Sequence, residues 1–139
     1  MSDLQKIFSR IRSDRLIFIA DACYSGAAGG RTIISSRRAT ISENFLNRLS
    51  SGKGRIILTA SGANQIAKED SSLGHGVFTY YLIQALKGAG DVDGDGYVTV
   101  DEAYSYVSKA VPKATGQAQT PVRKGESVGE VYLGRVKGK

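Results

Sequence analysis

The sequence predicts an α/β fold in which helices alternate with the strands of a parallel sheet. Three observations carry the prediction. Leu16 to Ala20 is apolar at every position, the pattern of a strand buried on both faces rather than a half-exposed antiparallel one. A second strand pattern, Arg55 to Ala60, follows after loop and helix signals, and segments with apolar residues at helical spacing lie on either side.

In chain order, Leu4, Ile7, Phe8 and Ile11 fall at i, i+3, i+4 and i+7, and Ser2 with Gln5 forms a capping-box pattern, so residues 3–12 should be an amphipathic helix. The first strand follows at once. Residues 24–41, rich in Gly, Ser, Ala and Arg, read as a long exposed loop in which Arg31, Arg37 and Arg38 are open to a protease. Ser42 then caps a short helix carrying Phe45, Leu46 and Leu49. After the second strand, Val77, Phe78, Tyr81, Leu82, Ala85 and Leu86 mark a helix stopped by Gly88 and Gly90. Ala103, Tyr104, Val107 and Val111 mark another, stopped by Pro112. Residues 129–134, "GEVYLG", close the pattern as a short strand. Neither a repeat nor a break in composition divides the chain, so one domain over residues 1–139 is expected.

With 139 residues, 41% of them hydrophobic and 23% charged, the chain is long enough to bury a core. Its one cysteine allows no internal disulfide. The net charge of +6 and pI near 9.5 raise the question of nucleic acid. Yet Arg31, Arg37, Arg38, Lys53, Arg55, Lys113, Arg123, Lys124, Arg135, Lys137 and Lys139 fall mostly in loops and the tail, so no nucleic-acid partner is expected. The first fifteen residues lack the apolar core of a signal peptide, and no stretch approaches the roughly 18 apolar residues that span a bilayer. A soluble, cytoplasmic chain without a membrane partner is expected.

In open α/β sheets, ligands collect beyond the carboxyl ends of the strands, which is where Cys23 falls. Ser25, Gly26, Ala27 and Ala28 after it leave room for a substrate backbone. By position alone the thiol is either a nucleophile or a small buried hydrophobe.

The surrounding "DACYSG" resembles the nucleophile motif of caspase-like cysteine peptidases of the metacaspase type. Downstream, "ILTASGANQIAKED", "GHGVFTYYLIQAL", a Gly/Asp-rich loop and "QTPV" before a last strand resemble, in order, the C-terminal half of the bacterial members. The likeness runs from about Leu4 to Gly134. It implies a three-layer α/β/α caspase-like sheet, of which this chain carries the C-terminal half with about three main strands. It also implies Cys23 as nucleophile, its backbone N–H helping to form the oxyanion hole. Asp21 matches the acid lining the specificity pocket, where a carboxylate selects Arg or Lys by charge and hydrogen bonding. Ser61 matches a position in the pocket wall. A strand-end Asp that merely accepts backbone N–H bonds is the competing reading of Asp21.

One departure stands beside the match. The family's catalytic His lies roughly 50 residues ahead of the Cys, and no histidine precedes Cys23. The sole histidine, His75, lies downstream at the approach to the helix at 77–87, a structural position in the family. The chain therefore resembles the C-terminal portion of the domain, with the first strand's outer edge open. Either the upstream half or a second copy is expected to cover that edge, unless the chain is a truncated piece.

A second motif, "DVDGDGYVTVDE" at 91–102, fits the D-x-D-x-D-G-x5-E calcium loop at every position. Asp91, Asp93 and Asp95 supply carboxylates, Gly96 the turn, Tyr97 a carbonyl and Glu102 two oxygens. Thr99 and Glu102 also spell a helix capping box, so an EF-hand-like calcium site and a plain acidic turn both suit the segment. Two functions follow: the Cys-bearing part of an endopeptidase cutting protein substrates after Arg or Lys, its base His supplied from elsewhere, or a non-catalytic calcium-binding scaffold of the same fold. On the first, the isolated chain is expected to be inactive.

Overall fold

A computed structural model of the chain describes residues 3–25, 40–42, 47, 54–61, 69–70, 75–126 and 129–138. Its elements are α1 (Asp3–Arg10), β1 (Leu16–Ser25), β2 (Thr40–Ser42), β3 (Arg55–Ser61), β4 (Glu69–Asp70), β5 (His75–Gly76), α2 (Val77–Gln84) continued by a π turn (Ala85–Ala89), β6 (Tyr97–Thr99), α3 (Val100–Ala114), β7 (Val122–Glu126) and β8 (Tyr132–Arg135). The main sheet has the order β2-β1-β3-β7. β1 runs parallel to both β2 and β3, while β7 is antiparallel to β3.

Successive strand residues face opposite sides of a sheet, and both sides here are apolar. On one side Ile17, Ile56, Leu58 and Ala60 pack with Val77, Phe78 and Leu82 of α2 and Ala103, Val107 and Val111 of α3. On the other, Phe18 meets Phe8 of α1 edge-to-face at 5.3 Å, and its register partner Ile57 is buried. Helices therefore cover both faces, as the resemblance implies. Among the described residues no helix is long and apolar enough to cross a membrane.

Several boundaries differ from the sequence expectation, each for a local reason. β1 runs on past Ala20 to Ser25, because Cys23, Tyr24 and Ser25 find backbone partners in Thr40, Ile41 and Ser42. The end of the expected 24–41 loop is thus a strand, β2; the remainder, with Arg31, Arg37 and Arg38, lies outside the described residues. Of the helix expected after Ser42, Asn47 is helical and the rest lies outside them. α3 does not stop at Pro112 but ends two residues later. A proline loses one helical N–H, and near a C-terminus few later bonds depend on it; Thr115 still donates its N–H to the Val111 carbonyl at 3.0 Å.

The larger correction concerns the third main strand. It is Val122–Glu126, "VRKGE", and the expected closing strand, found at Tyr132–Arg135, instead pairs with β6 in a separate two-stranded ribbon. Gly125 makes the β3–β7 pairing possible, since its φ is 89° and a Cβ there would overlap the Arg55 carbonyl. Arg123, Lys124 and Glu126 suit a strand at the rim of a sheet, where charge discourages further pairing. The ribbon is anchored by Val98, fully buried, and by Val131 and Val136.

Candidate active site and acidic loop

β1 and β3 converge on one register pair. The ladder from Leu16↔Arg55 to Ala20↔Thr59 shifts between Ala20 and Cys23, and then sets Cys23 opposite Ser61. A residue looped out of a strand bends it and increases its local twist. Thr40 of β2 flanks Cys23 on its other side. The structure thus brings together Cys23 and Ser61, at the carboxyl end of a parallel pair.

Asp21 lies in the irregular stretch between those pairings. Its carboxylate reaches the start of α2, where Oδ2 accepts a hydrogen bond from the Thr79 hydroxyl at 2.5 Å. Gly76, the N-cap residue, offers no side chain of its own to the first helical N–H groups. A carboxylate beside a helix N-terminus is favoured by the aligned peptide dipoles. The fit is close enough that a methyl group on Gly76 would overlap the Asp21 carboxylate. Asp21 remains exposed, and an ionised carboxylate has about four acceptor positions, so one bond to Thr79 leaves capacity for a guanidinium.

His75 pairs with Asp70 in the short β4–β5 ladder and directly precedes α2, the helix entrance expected for it.

The acidic loop is a separate assembly. Carboxylate oxygens of Asp91, Asp93 and Asp95 lie within 4.8 Å of one another. Asp91 accepts the Gly96 N–H at 3.0 Å, Asp93 the Asp95 N–H at 3.1 Å and Asp95 the Tyr97 N–H at 2.9 Å. Glu102 reaches back across the loop, taking the Val92 N–H on Oε2 at 3.0 Å and the Thr99 N–H on Oε1 at 3.1 Å. Thr99 answers with its hydroxyl on the Glu102 N–H, so the expected capping box is formed. Gly94 and Gly96 have φ of 73° and 88°, which lets the chain curl around the carboxylates.

Packing three carboxylates together has an electrostatic cost, visible at Asp95. The Tyr97 N–H favours its ionised form, but lost hydration and the charges of Asp93 and Asp91 outweigh that bond and hold its carboxyl above the ordinary value. A divalent cation would reverse the balance: Asp91, Asp93 and Asp95 are the oxygen ligands a hard ion takes, while both Glu102 oxygens are engaged by the Val92 and Thr99 N–H groups. The ribbon fixes this loop to the core, with the Val136 N–H on the Gly96 carbonyl at 2.7 Å.

Two residues at the thiol end carry no sequence signal of their own. Thr79 looks like an ordinary helix residue, and Gln119 like a loop residue before a proline. Gln119 is nevertheless fully buried and donates its side-chain N–H to the Ala60 carbonyl at 2.8 Å. The one sequence clue to it is its place in "QTPV", which carries part of the resemblance.

No curated protein and no solved structure gives a significant match. The family model described as the caspase domain matches residues 2–132, nearly the whole length, and the mixed sheet with helices on both faces is the architecture that such a match requires. The chain belongs to the caspase-domain family of cysteine peptidases.

Proposed function

We propose that this chain is the cysteine-bearing part of an endopeptidase of metacaspase type that cleaves after Arg or Lys. The observation that carries the reading is the Cys23↔Ser61 pair at the carboxyl end of two parallel strands, with an exposed carboxylate, Asp21, two residues from the thiol. Cys23, as thiolate, attacks the scissile carbonyl carbon; the Cys23 N–H helps to stabilise the oxyanion. A histidine takes the thiol proton and gives it to the leaving amine as the peptide bond breaks. Water then hydrolyses the thioester and releases the acid. Asp21 selects the cationic side chain, and Ser61 forms part of the pocket wall.

The histidine comes from another polypeptide segment, either the upstream half of the domain or a second copy. Along the outer edge of β1 only Cys23 to Ser25 have strand partners among the described residues. Ile19 beside that edge is 39% exposed, and Ile7 and Ile11 of α1 are exposed as well. An apolar strand with an open edge accepts a further strand. Asp91, Asp93 and Asp95, with the Tyr97 carbonyl and Glu102, would hold a calcium ion in the 91–102 loop, where it would offset the repulsion among the three carboxylates.

A second reading, a non-catalytic calcium-binding scaffold, is favoured by one observation: the acidic loop gathers the Asp91, Asp93 and Asp95 carboxylates within 4.8 Å of one another without using any residue of the thiol end. The two separate in an assay of Arg- and Lys-terminated peptides, run with the chain alone, at concentrations that allow copies to pair, and with the polypeptide encoded upstream restored. Turnover that Cys23→Ala abolishes supports the peptidase. Silence under all three conditions supports the scaffold.

A further inference from the structure

The ladder between β3 and β7 ends at Thr59↔Val122. One step further along, Ala60 faces position 121, and Pro121 has no N–H with which to continue. A buried carbonyl without a donor is costly. The donor comes instead from two residues earlier, from the Gln119 side chain, at 2.8 Å from the Ala60 oxygen. Burying a glutamine completely costs free energy unless its amide is used, so the contact is a specific one.

Gln119 is itself held in place. Its backbone N–H donates to Thr115 Oγ1 at 3.1 Å, and the Thr115 hydroxyl donates to the Val111 carbonyl at 2.9 Å, at the end of α3. A chain of short bonds thus runs from the last turn of α3 to Ala60. The residue after Ala60 is Ser61, the register partner of Cys23.

We propose that Gln119 is a positioning residue for the thiol site: it replaces the ladder bond that Pro121 cannot make, and so fixes the β3 end that sets Ser61 against Cys23. Its consequence for turnover rests on the peptidase reading above; its consequence for the strand end does not. Gln119→Met keeps the length of the side chain and removes the donor. Gln119→Glu restores a donor only while its carboxyl is protonated.

Two measurements test this on the full chain, with the upstream polypeptide restored where turnover requires it. Amide hydrogen exchange in Gln119→Met should speed by about tenfold at residues 59–61 and 22–24, the loss expected for one buried hydrogen bond, with residues 16–19 and 56–58 unchanged. Cleavage of Arg peptides should lose about tenfold in kcat/KM at a temperature where the variant is folded. In Gln119→Glu, cleavage relative to the parent should recover at acid pH and fall as pH rises. A residue that only adds stability would instead raise exchange evenly across the sheet and leave the relative pH profile flat, and either result overturns the proposal. If the parent has no turnover, the peptidase reading fails, and the exchange pattern alone decides: acceleration confined to the two strand ends upholds the role of Gln119, and its absence ends it.

Discussion

The thiol end and the acidic loop are built in opposite ways. The side-chain bonds described above for the loop join residues no more than ten apart, from Asp93 with Asp95 to Glu102 with Val92. At the thiol end the defining bonds join distant parts of the chain: Thr79 to Asp21 spans 58 positions and Gln119 to Ala60 spans 59. A site of the first kind takes its side-chain bonds from one short motif and meets distant residues through the backbone bonds of the ribbon. A site of the second kind exists only when several strands and helices are in register, and it fails with any of them.

Substitutions can break or sharpen this contrast, and the largest effect is expected at the nucleophile. Cys23→Ala should remove Arg-peptide cleavage by about 10⁴-fold or more while leaving the thermal response to calcium intact. Should the calcium response vanish too, the two regions are not independent. Next comes Gly125→Ala, which places a methyl against the Arg55 carbonyl at a φ of 89°. It should cost on the order of 3 kcal/mol in denaturant unfolding, with exchange rising along β3 toward Ser61 and the loop bonds retained.

Calcium supplies the opposite test. At a hundredfold excess over its Kd it should stabilise the fold by about 2.7 kcal/mol, seen as a raised melting temperature that Glu102→Gln diminishes. The pH dependence follows from Asp95, whose carboxyl is held above its ordinary value. Between the unfolded and the raised folded value the native state binds more protons, so the calcium-free protein loses stability as pH rises through that window. Asp95→Asn should remove this slope while weakening calcium binding. A metal-free melting curve with no such slope would mean that the carboxylates do not repel one another appreciably.

Asp21→Ala should lower kcat/KM for Arg peptides by roughly thirtyfold, the scale of one charge-assisted bond, yet change Cys23 alkylation by a small uncharged electrophile by no more than about twofold. Equal losses in both would leave Asp21 as a partner of the Thr79 hydroxyl alone. Smallest is Thr99→Ala, which removes half of the capping box and should cost about 1 kcal/mol, with no effect on cleavage.

Legibility in the sequence divides along the same line. The acidic loop, its glycine turn and its capping box are readable because residue type and spacing determine them locally. The two parallel strands are readable from their apolar runs: β3 is buried on both faces at Ile56, Ile57 and Leu58, and Leu16–Ala20 carries the same run although Ile19 is exposed beside the open edge. "VRKGE" is not, since a rim strand with charged side chains and a positive-φ glycine shows neither alternation nor an apolar run. Its partner β3 makes it a strand, and no local pattern records that. The closing strand can be located but not its neighbour, because periodicity says nothing about which edge a strand joins. Thr79 and Gln119 acquire their roles only through residues far away in sequence.

Gly76 links this architecture to the ways in which the protein can change. Its φ of −59° is open to any L-residue, so glycine is kept there for space rather than for backbone freedom. The space belongs to Asp21. A larger residue at 76 and an aspartate at 21 exclude one another, and neither substitution is neutral alone: enlarging 76 first forces a collision, and losing the acid first takes from the Thr79 hydroxyl its Asp21 acceptor. Lineages should therefore carry the two positions as a linked pair, with any enlargement at 76 found only beside a smaller residue at 21.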